Sequence, residues 1–233
     1  MAECDAASTQ GRGRRRNEDA CLVALPRLAV ADGVGGERSG HFAAGLAIAA
    51  LASQPGGDPR SELRHAFIEA QAAVLSLASD GKHAGAATTM TAGRFVPGGI
   101  WVAHIGDSRA YRLRSGRLEQ LTTDHILVEE LRQRGVIGRE KAEEHPLRSM
   151  LTKGLGVEPG RAADPDLFRV DLEPGDTVLL CTDGFSNCLD PVETVAGLTA
   201  PGSLALALEK LVDTAQRRGT DDVTAVAARL SAG

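Results

Sequence analysis

The sequence has 233 residues, 42% of them hydrophobic but only 3% aromatic, so it can bury one sizeable core built chiefly from Ala, Leu, Val and Ile. A formal net charge of -5 argues against a nucleic-acid or polybasic membrane surface as the main partner site, and Arg12, Arg14, Arg15 and Arg16 form the one local basic cluster. No apolar run approaches the ~20 residues needed to span a bilayer, and the segment Met1-Ala2-Glu3-Cys4-Asp5 lacks the basic-then-apolar pattern of a leader; a cytoplasmic protein is expected. Cys4, Cys21, Cys181 and Cys188 contain no C-x-x-C pair and read as reduced thiols, with Cys181 a small core residue.

In chain order, Gly11 and Gly13 punctuate the basic segment, which leads through Asn17-Glu18-Asp19 into the strand-like Cys21-Leu22-Val23-Ala24-Leu25. Pro26-Arg27 turns into a second apolar run, Leu28-Ala29-Val30-Ala31, ending in Asp32-Gly33-Val34-Gly35-Gly36. This is a hairpin pattern, and a hairpin brings Asp19, at the start of one strand, to the same sheet end as Asp32, at the exit of the other. A helix is predicted from Ser39 to Ala52, capped near Glu37 to Ser39 and stopped by Pro55-Gly56-Gly57-Asp58-Pro59. A second opens at Ser61 with Leu63, Ala66, Phe67, Ala70, Val74 and Leu77 on one face, and ends at Asp80-Gly81-Lys82.

Thr88 to Phe95 and Ile100 to Ile105 read as a hairpin about Gly98-Gly99. Gly106-Asp107-Ser108-Arg109 interrupts the pattern, and strands resume over Ala110 to Arg114 and Arg117 to Leu121. Thr122 to Gly156 changes to a polar helical pattern, Asp171 to Thr182 returns to strand with Pro174-Gly175 as its turn, Ser203 to Arg218 reads as a helix and Val223 to Leu230 as a closing strand. That order predicts an α+β protein, a central antiparallel β-sandwich flanked by helices on both faces with a small helical flap. No linker or repeat divides it, so residues 1–233 are expected to form one domain.

Acids recur where strands begin or end: Glu18 and Asp19, Asp32, Asp183 after Thr177-Val178-Leu179-Leu180-Cys181-Thr182, and Asp221-Asp222 before the last strand. Carboxylates that meet at one sheet end repel unless cations neutralise them. Oxygen ligands select Mg²⁺ or Mn²⁺, and no His/Cys cluster competes for zinc. Two such ions bridged by one carboxylate and one water make from that water the hydroxide that attacks phosphorus in line, which suggests phosphoester hydrolysis. A cysteine-dependent phosphatase is disfavoured because no Cys is followed at loop spacing by the required Arg, and a P-loop because Gly33-Val34-Gly35-Gly36 lacks the Lys and Ser/Thr. A two-metal nuclease is disfavoured by the acidic charge.

The segments Arg14-Arg15-Arg16-Asn17-Glu18-Asp19-Ala20, Ala31-Asp32-Gly33-Val34-Gly35-Gly36, Gly106-Asp107-Ser108-Arg109-Ala110-Tyr111, Leu121-Thr122-Thr123-Asp124-His125, Cys181-Thr182-Asp183-Gly184 and Gly219-Thr220-Asp221-Asp222-Val223-Thr224 resemble, in order, the successive motifs of the PPM (PP2C-type) metal-dependent Ser/Thr protein phosphatases, most closely the short bacterial members. The resemblance implies two core Mn²⁺ or Mg²⁺ ions bridged by Asp32, with the Gly33 carbonyl also facing an ion. Asp183 and Asp221 would ligate one ion, while Glu18 and Asp19 would hold the other directly or through water. Asp124 would join Asp183 at a third ion, and Arg14 would clamp the substrate phosphate. The stretch from about 125 to 156, with His145-Pro146 and Arg148, would be the flap beside the active site. Asp107 is read as part of a structural strand interruption and His41 as a surface histidine.

Implied partners are phosphorylated Ser/Thr proteins, substrates of a partner Ser/Thr kinase, acted on by a monomer that binds neither nucleic acid nor membrane. The alternative is a catalytically weak phosphatase-like module that binds phosphoproteins. Two departures stand out. Val34 replaces a histidine proposed as general acid in eukaryotic members, and Asp222 replaces the usual Asn, adding a carboxylate expected to alter metal affinity.

Overall fold

The run Leu28-Ala29-Val30-Ala31 is apolar at every position because both of its faces are covered. Leu28 and Val30 point into the space between two sheets, whereas Ala29 and Ala31 point outward against helices. A computed structural model describes residues 2–34, 39–157 and 164–231. Its strands are β1 (Ala2–Thr9), β2 (Ala20–Ala24), β3 (Arg27–Ala31), β4 (Gly33–Val34), β5 (Ala87–Thr88), β6 (Met90–Val96), β7 (Gly99–Ile105), β8 (Arg109–Arg114), β9 (Arg117–Gln120), β10 (Asp166–Asp171), β11 (Thr177–Cys181) and β12 (Val223–Leu230). The helices are α1 (Gly40–Ala52), α2 (Pro59–Ser79), α3 (Leu127–Gln133), α4 (Arg139–Glu143), α5 (Asp183–Ser186), α6 (Pro191–Thr199) and α7 (Leu204–Arg218). None of the described helices is long and apolar enough to cross a membrane.

Among the described residues, two antiparallel five-stranded sheets run β1-β12-β11-β8-β9 and β10-β7-β6-β3-β2. Leu28, Val30, Ile100, Val102, Val178, Leu180, Val226 and Ala228 fill the space between them. Helices α1 and α2 cover the outer face of the second sheet, setting Ala44, Ala47, Leu51, Leu63 and Phe67 against Ala29, Ala31, Ala92 and Ala103. Helix α7 does the same for the first, with Leu204, Leu208, Leu211 and Ala215 against Leu179, Cys181, Ala225 and Ala227. The result is the predicted sandwich with helices on both faces, and the small side chains on the outer faces let the helices approach closely. Cys181 is buried there, and all four cysteines are free.

The β2–β3, β6–β7 and β8–β9 hairpins form as expected. Four local readings change. β1 was not anticipated, although Ala2, Cys4 and Ala6 alternate with Glu3 and Asp5, because side chains this small and polar have little strand propensity; it pairs with β12 along its length. Of the stretch Asp171 to Thr182, the part after the Pro174-Gly175 turn forms β11, whereas Asp171 is the last residue of β10, which begins at Asp166 and lies in the other sheet. Helix α6 was also missed, although Asp190 and Glu193 form a reciprocal capping box that announces it. Ser39 occupies the N-cap of α1 without a side-chain cap and instead bonds His83 Nδ1 at 3.2 Å; the other predicted cap residue, Glu37, lies with Gly35 and Gly36 outside the described residues.

Gly106-Asp107-Ser108 carries the chain from β7 in one sheet to β8 in the other. Gly106 has φ 111°, and a Cβ there would lie 2.5 Å from the Thr89 side chain, so this crossing requires glycine.

Helix α2 is tied to the sheet by a polar contact on its buried face. Glu62, 4% exposed, accepts from Arg27 Nε and, at 3.4 Å, from Arg94 Nε. Replacing Glu62 by Ala would strand two guanidinium groups at the sheet surface. We expect Glu62→Ala to lower unfolding free energy by about 2–3 kcal/mol in urea titrations, less than the ~3–5 of a fully buried pair because both arginines keep some solvent contact; an unchanged midpoint would refute that role.

Candidate active site

The acids predicted at strand ends converge at one end of the sandwich. Asp32 leaves β3, Asp183 follows β11 as the first residue of α5, Asp19 precedes β2, and Asp221 precedes β12. Backbone contacts fix their positions. The Asp32 N–H donates to Thr89 Oγ1 at 3.0 Å, and its carbonyl accepts from Thr88 Oγ1 at 2.8 Å and the Thr89 N–H at 3.0 Å. Thr182, fully buried beside Asp183, donates its hydroxyl to Asp19 Oδ2 at 2.9 Å while accepting the Thr224 N–H at 3.0 Å. One threonine thus couples the turns that carry Asp19, Asp183 and Asp221.

Close backbone approaches bring the remaining segments in. A Cβ on Gly33 would lie 2.3 Å from the Gly40 backbone and 2.7 Å from the Glu18 carbonyl, and one on Gly184 only 2.0 Å from the Asp222 carbonyl. Glu18 is 3% exposed, with its Oε2 3.6 Å from Arg14 Nη1. Arg14 also hydrogen-bonds Asp221 Oδ1 through Nη2. Burial works to lower the Arg14 pKa, but Asp221, Asp222, Asp32 and Glu18 raise it overall. Its charge is secure, and its head remains about a third exposed, with side-chain exposure of 35%.

The electrostatics are those of crowded acids. Burial foremost, then the charges of Asp19, Asp183 and Asp107, hold the Asp32 pKa well above the ordinary carboxylate range. Burial and Asp221 raise Asp183. Burial pushes Asp19 up to about 7 against the opposing hydrogen bonds of Thr224 and Thr182. Burial, Asp183 and Asp124 push Asp107 up to about 7 as well. Asp107, read from the sequence only as a strand interruption, therefore also contributes a carboxylate to the cluster.

Asp124 stands differently. Its carboxylate is held by Arg109, with Nε at 2.9 Å from Oδ1 and Nη2 at 2.6 Å from Oδ2, and by Gln120 at 3.2 Å. It still lines, with Asp107 and Asp183, a cavity of about 850 Å³ that reaches Arg132 on α3, Arg139 on α4 and Arg148. Val34 is 40% exposed and offers no proton. His41 faces Arg16, whose Nη1 lies 2.7 Å from its Nε2, and burial, Arg16 and His83 lower its pKa.

Divalent cations fit this donor set. Asp19 Oδ1 and Asp183 Oδ1 are buried oxygens with no hydrogen-bond partner, a costly arrangement unless something positive is bound. Among the described residues, no three acid, histidine or cysteine side chains form a finished cage around one point, so water would complete the shell of a hard cation there.

A pH signature follows. A carboxyl whose folded-state pKa exceeds its unfolded value stabilises the fold below the unfolded value and loses that contribution as pH rises through the folded one. For Asp19 and Asp107 that window runs from 3.8 to about 7. A bound cation replaces the lost protons. The melting-temperature increment of Mn²⁺ over EDTA should therefore grow as pH rises across this window, and an increment independent of pH would contradict the clustering.

Comparisons with known proteins bear on the fold and the family. The protein phosphatase 2C family model matches residues 10–219. The serine/threonine protein phosphatase PstP of Mycobacterium tuberculosis is 37% identical over 96% of the chain, which spans only 44% of that protein's length. The serine/threonine phosphatase stp of Listeria welshimeri is 33% identical, with 91% of this chain and 89% of that protein covered. The crystal structure of M. tuberculosis PstP superposes with a TM-score of 0.90 at 36% identity, covering 99% of both chains. A structure of the PstP catalytic domain in complex with two manganese ions superposes at 0.87 with 34% identity, covering 99% of this chain and 98% of that one. With its motifs, its layered sandwich and a family match over nearly its whole length, the chain belongs to the protein phosphatase 2C family.

Proposed function

We propose that this chain is a protein serine/threonine phosphatase that hydrolyses phosphoserine and phosphothreonine esters with Mn²⁺ or Mg²⁺. The observation that carries the reading is the gathering of Asp19, Asp32 and Asp183, with their raised pKa values, beside a permanently charged Arg14. Asp32 would be shared between two ions, with Asp183 and Asp221 on one side and Glu18 and Asp19 on the other, the Gly33 carbonyl assisting. Bound divalent ions would activate a water and neutralise the phosphoryl oxygens. Asp124 with Asp183 would serve a third ion, once Arg109 shares its hold on Asp124. The names of the mycobacterial and listerial relatives, and the two manganese ions of the PstP catalytic domain, support this assignment.

The remaining work falls to the chain's own groups. Arg14 presents a planar fork to two phosphate oxygens and orients the ester for in-line attack. Val34 can give the leaving oxygen no proton, so that proton comes from water. The flap segment 125–156 would border the path of the phosphopeptide. We further place the protein in the cytoplasm as a monomer, one domain over 1–233, acting on substrates of a partner Ser/Thr kinase.

Purified protein should hydrolyse para-nitrophenyl phosphate and a phosphothreonine peptide with Mn²⁺ and stop with EDTA. Asp32→Asn and Asp183→Asn should abolish turnover, whereas Arg14→Ala should act mainly on KM. Full activity in either Asp variant would overturn the metal assignment, and absence of Mn²⁺-dependent turnover in the parent protein would leave a phosphoprotein-binding module.

A further inference from the structure

Asp222 is 2% exposed, and both of its carboxylate oxygens are committed to backbone. Oδ1 accepts from the Gly11 N–H at 2.7 Å, and Oδ2 from the Glu18 N–H at 2.9 Å. Those amides bracket the loop that carries Arg14, whose own N–H returns to the Gly11 carbonyl at 3.3 Å. The other side of Asp222 is fixed as well. Its N–H donates to Asp221 Oδ1 at 2.8 Å, and its carbonyl abuts Gly184, next to Asp183.

We propose that Asp222 is a positioning residue: it clamps both ends of the Gly11–Glu18 loop against the turns of Asp183 and Asp221, and so sets the Arg14 guanidinium where a phosphate arrives. This rests on the proposed phosphatase reading. The sequence leads one to expect the extra carboxylate to act on metal affinity; the hydrogen bonds direct it to the loop instead. An asparagine has one acceptor oxygen and one donor amide, so it can take one of the two N–H groups but must turn its own NH₂ toward the other. The aspartate accepts both, and with charge assistance. Arg14 already pairs with Glu18 and Asp221, so the anchoring of its loop decides how its guanidinium is shared between those acids and an arriving phosphate.

The test compares the parent protein with Asp222→Asn, Arg14→Ala and the double variant. Amide hydrogen exchange over residues 10–19 is measured in EDTA, inorganic phosphate and Mn²⁺ binding by calorimetry, and turnover of para-nitrophenyl phosphate with Mn²⁺. In Asp222→Asn, exchange over the loop should quicken, and both KM and the phosphate dissociation constant should rise about three- to tenfold, the scale of one net hydrogen bond. The kcat and the Mn²⁺ affinity should stay within about twofold. The KM and phosphate effects should vanish in the Arg14→Ala background, which a general loss of stability would not produce.

Unchanged exchange and phosphate binding in Asp222→Asn would overturn the proposal. So would a loss of Mn²⁺ affinity of about tenfold or more that persists with Arg14→Ala, since Asp222 would then act on the cations. Should the Asn variant fail to fold, Asp222→Ser, which keeps a hydroxyl acceptor, is read by the same criteria. If the parent turned over no phosphoester, the proposed function would fall, while hydrogen exchange and phosphate calorimetry would still decide the role of Asp222.

Discussion

Carboxylates brought out of water repel one another and lose hydration together. Asp32, Asp19, Asp183 and Asp107 are held in that condition at one end of the sandwich, each with a pKa above its usual range. A folded chain tolerates such a cluster only if its backbone is anchored elsewhere and the charge is neutralised by protons or by cations. The threonines supply the anchoring. Thr88 and Thr89 hold the backbone of Asp32, and Thr182 holds the carboxylate of Asp19, so the acids cannot relax apart. A cluster in that condition favours whatever neutralises it, and its oxygen donors are of the kind that hard divalent ions prefer.

The sandwich bears that cost because its three apolar layers are complete without the site. Leu28, Val30, Val178, Leu180 and Val226 close the space between the sheets, while α1, α2 and α7 seal the outer faces. Strand exits are then free to carry polar chemistry. Glycine has a specific part in this. At Gly33 and Gly184 the backbones touch so closely that any side chain would push apart the segments bearing Glu18, Asp32, Asp183 and Asp221. The same turns that look like flexible punctuation in the sequence are therefore the tightest joints of the site.

Charges outside the acid cluster follow a separate logic. Arg27 and Arg94 on Glu62 join elements distant in the chain, and Arg109, at the edge of the cluster, occupies the carboxylate of Asp124. Arg14 differs because its partners, Glu18 and Asp221, belong to the acid cluster and its head keeps solvent contact. An arginine that is charged, only partly exposed and already beside the acids is suited to an anionic substrate. Arg109, committed to Asp124 by both ends of its fork, is suited to architecture.

Much was legible in the sequence, for local reasons. The apolar runs at Leu28–Ala31 and Thr177–Cys181, the turns that follow them and the apolar stripe of α2 depend on near neighbours, and so they identified the sheets, the helix layer and the strand-end acids. Unreadable features were those made by partners far along the chain. Strand β1 alternates only small residues, Ala2, Cys4 and Ala6, with Glu3 and Asp5, a weak signal by itself, and β12 pairs with it along its whole length. Whether Pro174-Gly175 turns within one sheet or passes between two depends on which strands are already paired. Asp107 looked like a turn residue, and became part of the acid cluster only when Asp183 and Asp124 came close. Asp222 looked like one more acid, and the N–H groups of Gly11 and Glu18 that claim it lie over 200 positions away. By itself, then, the sequence determined which residue types stand at the strand ends and which chemistry they can support. Only the tertiary structure decided which of those acids are left crowded with unpartnered oxygens and which hold backbone, because a carboxylate's role is set by the donors that reach it in space.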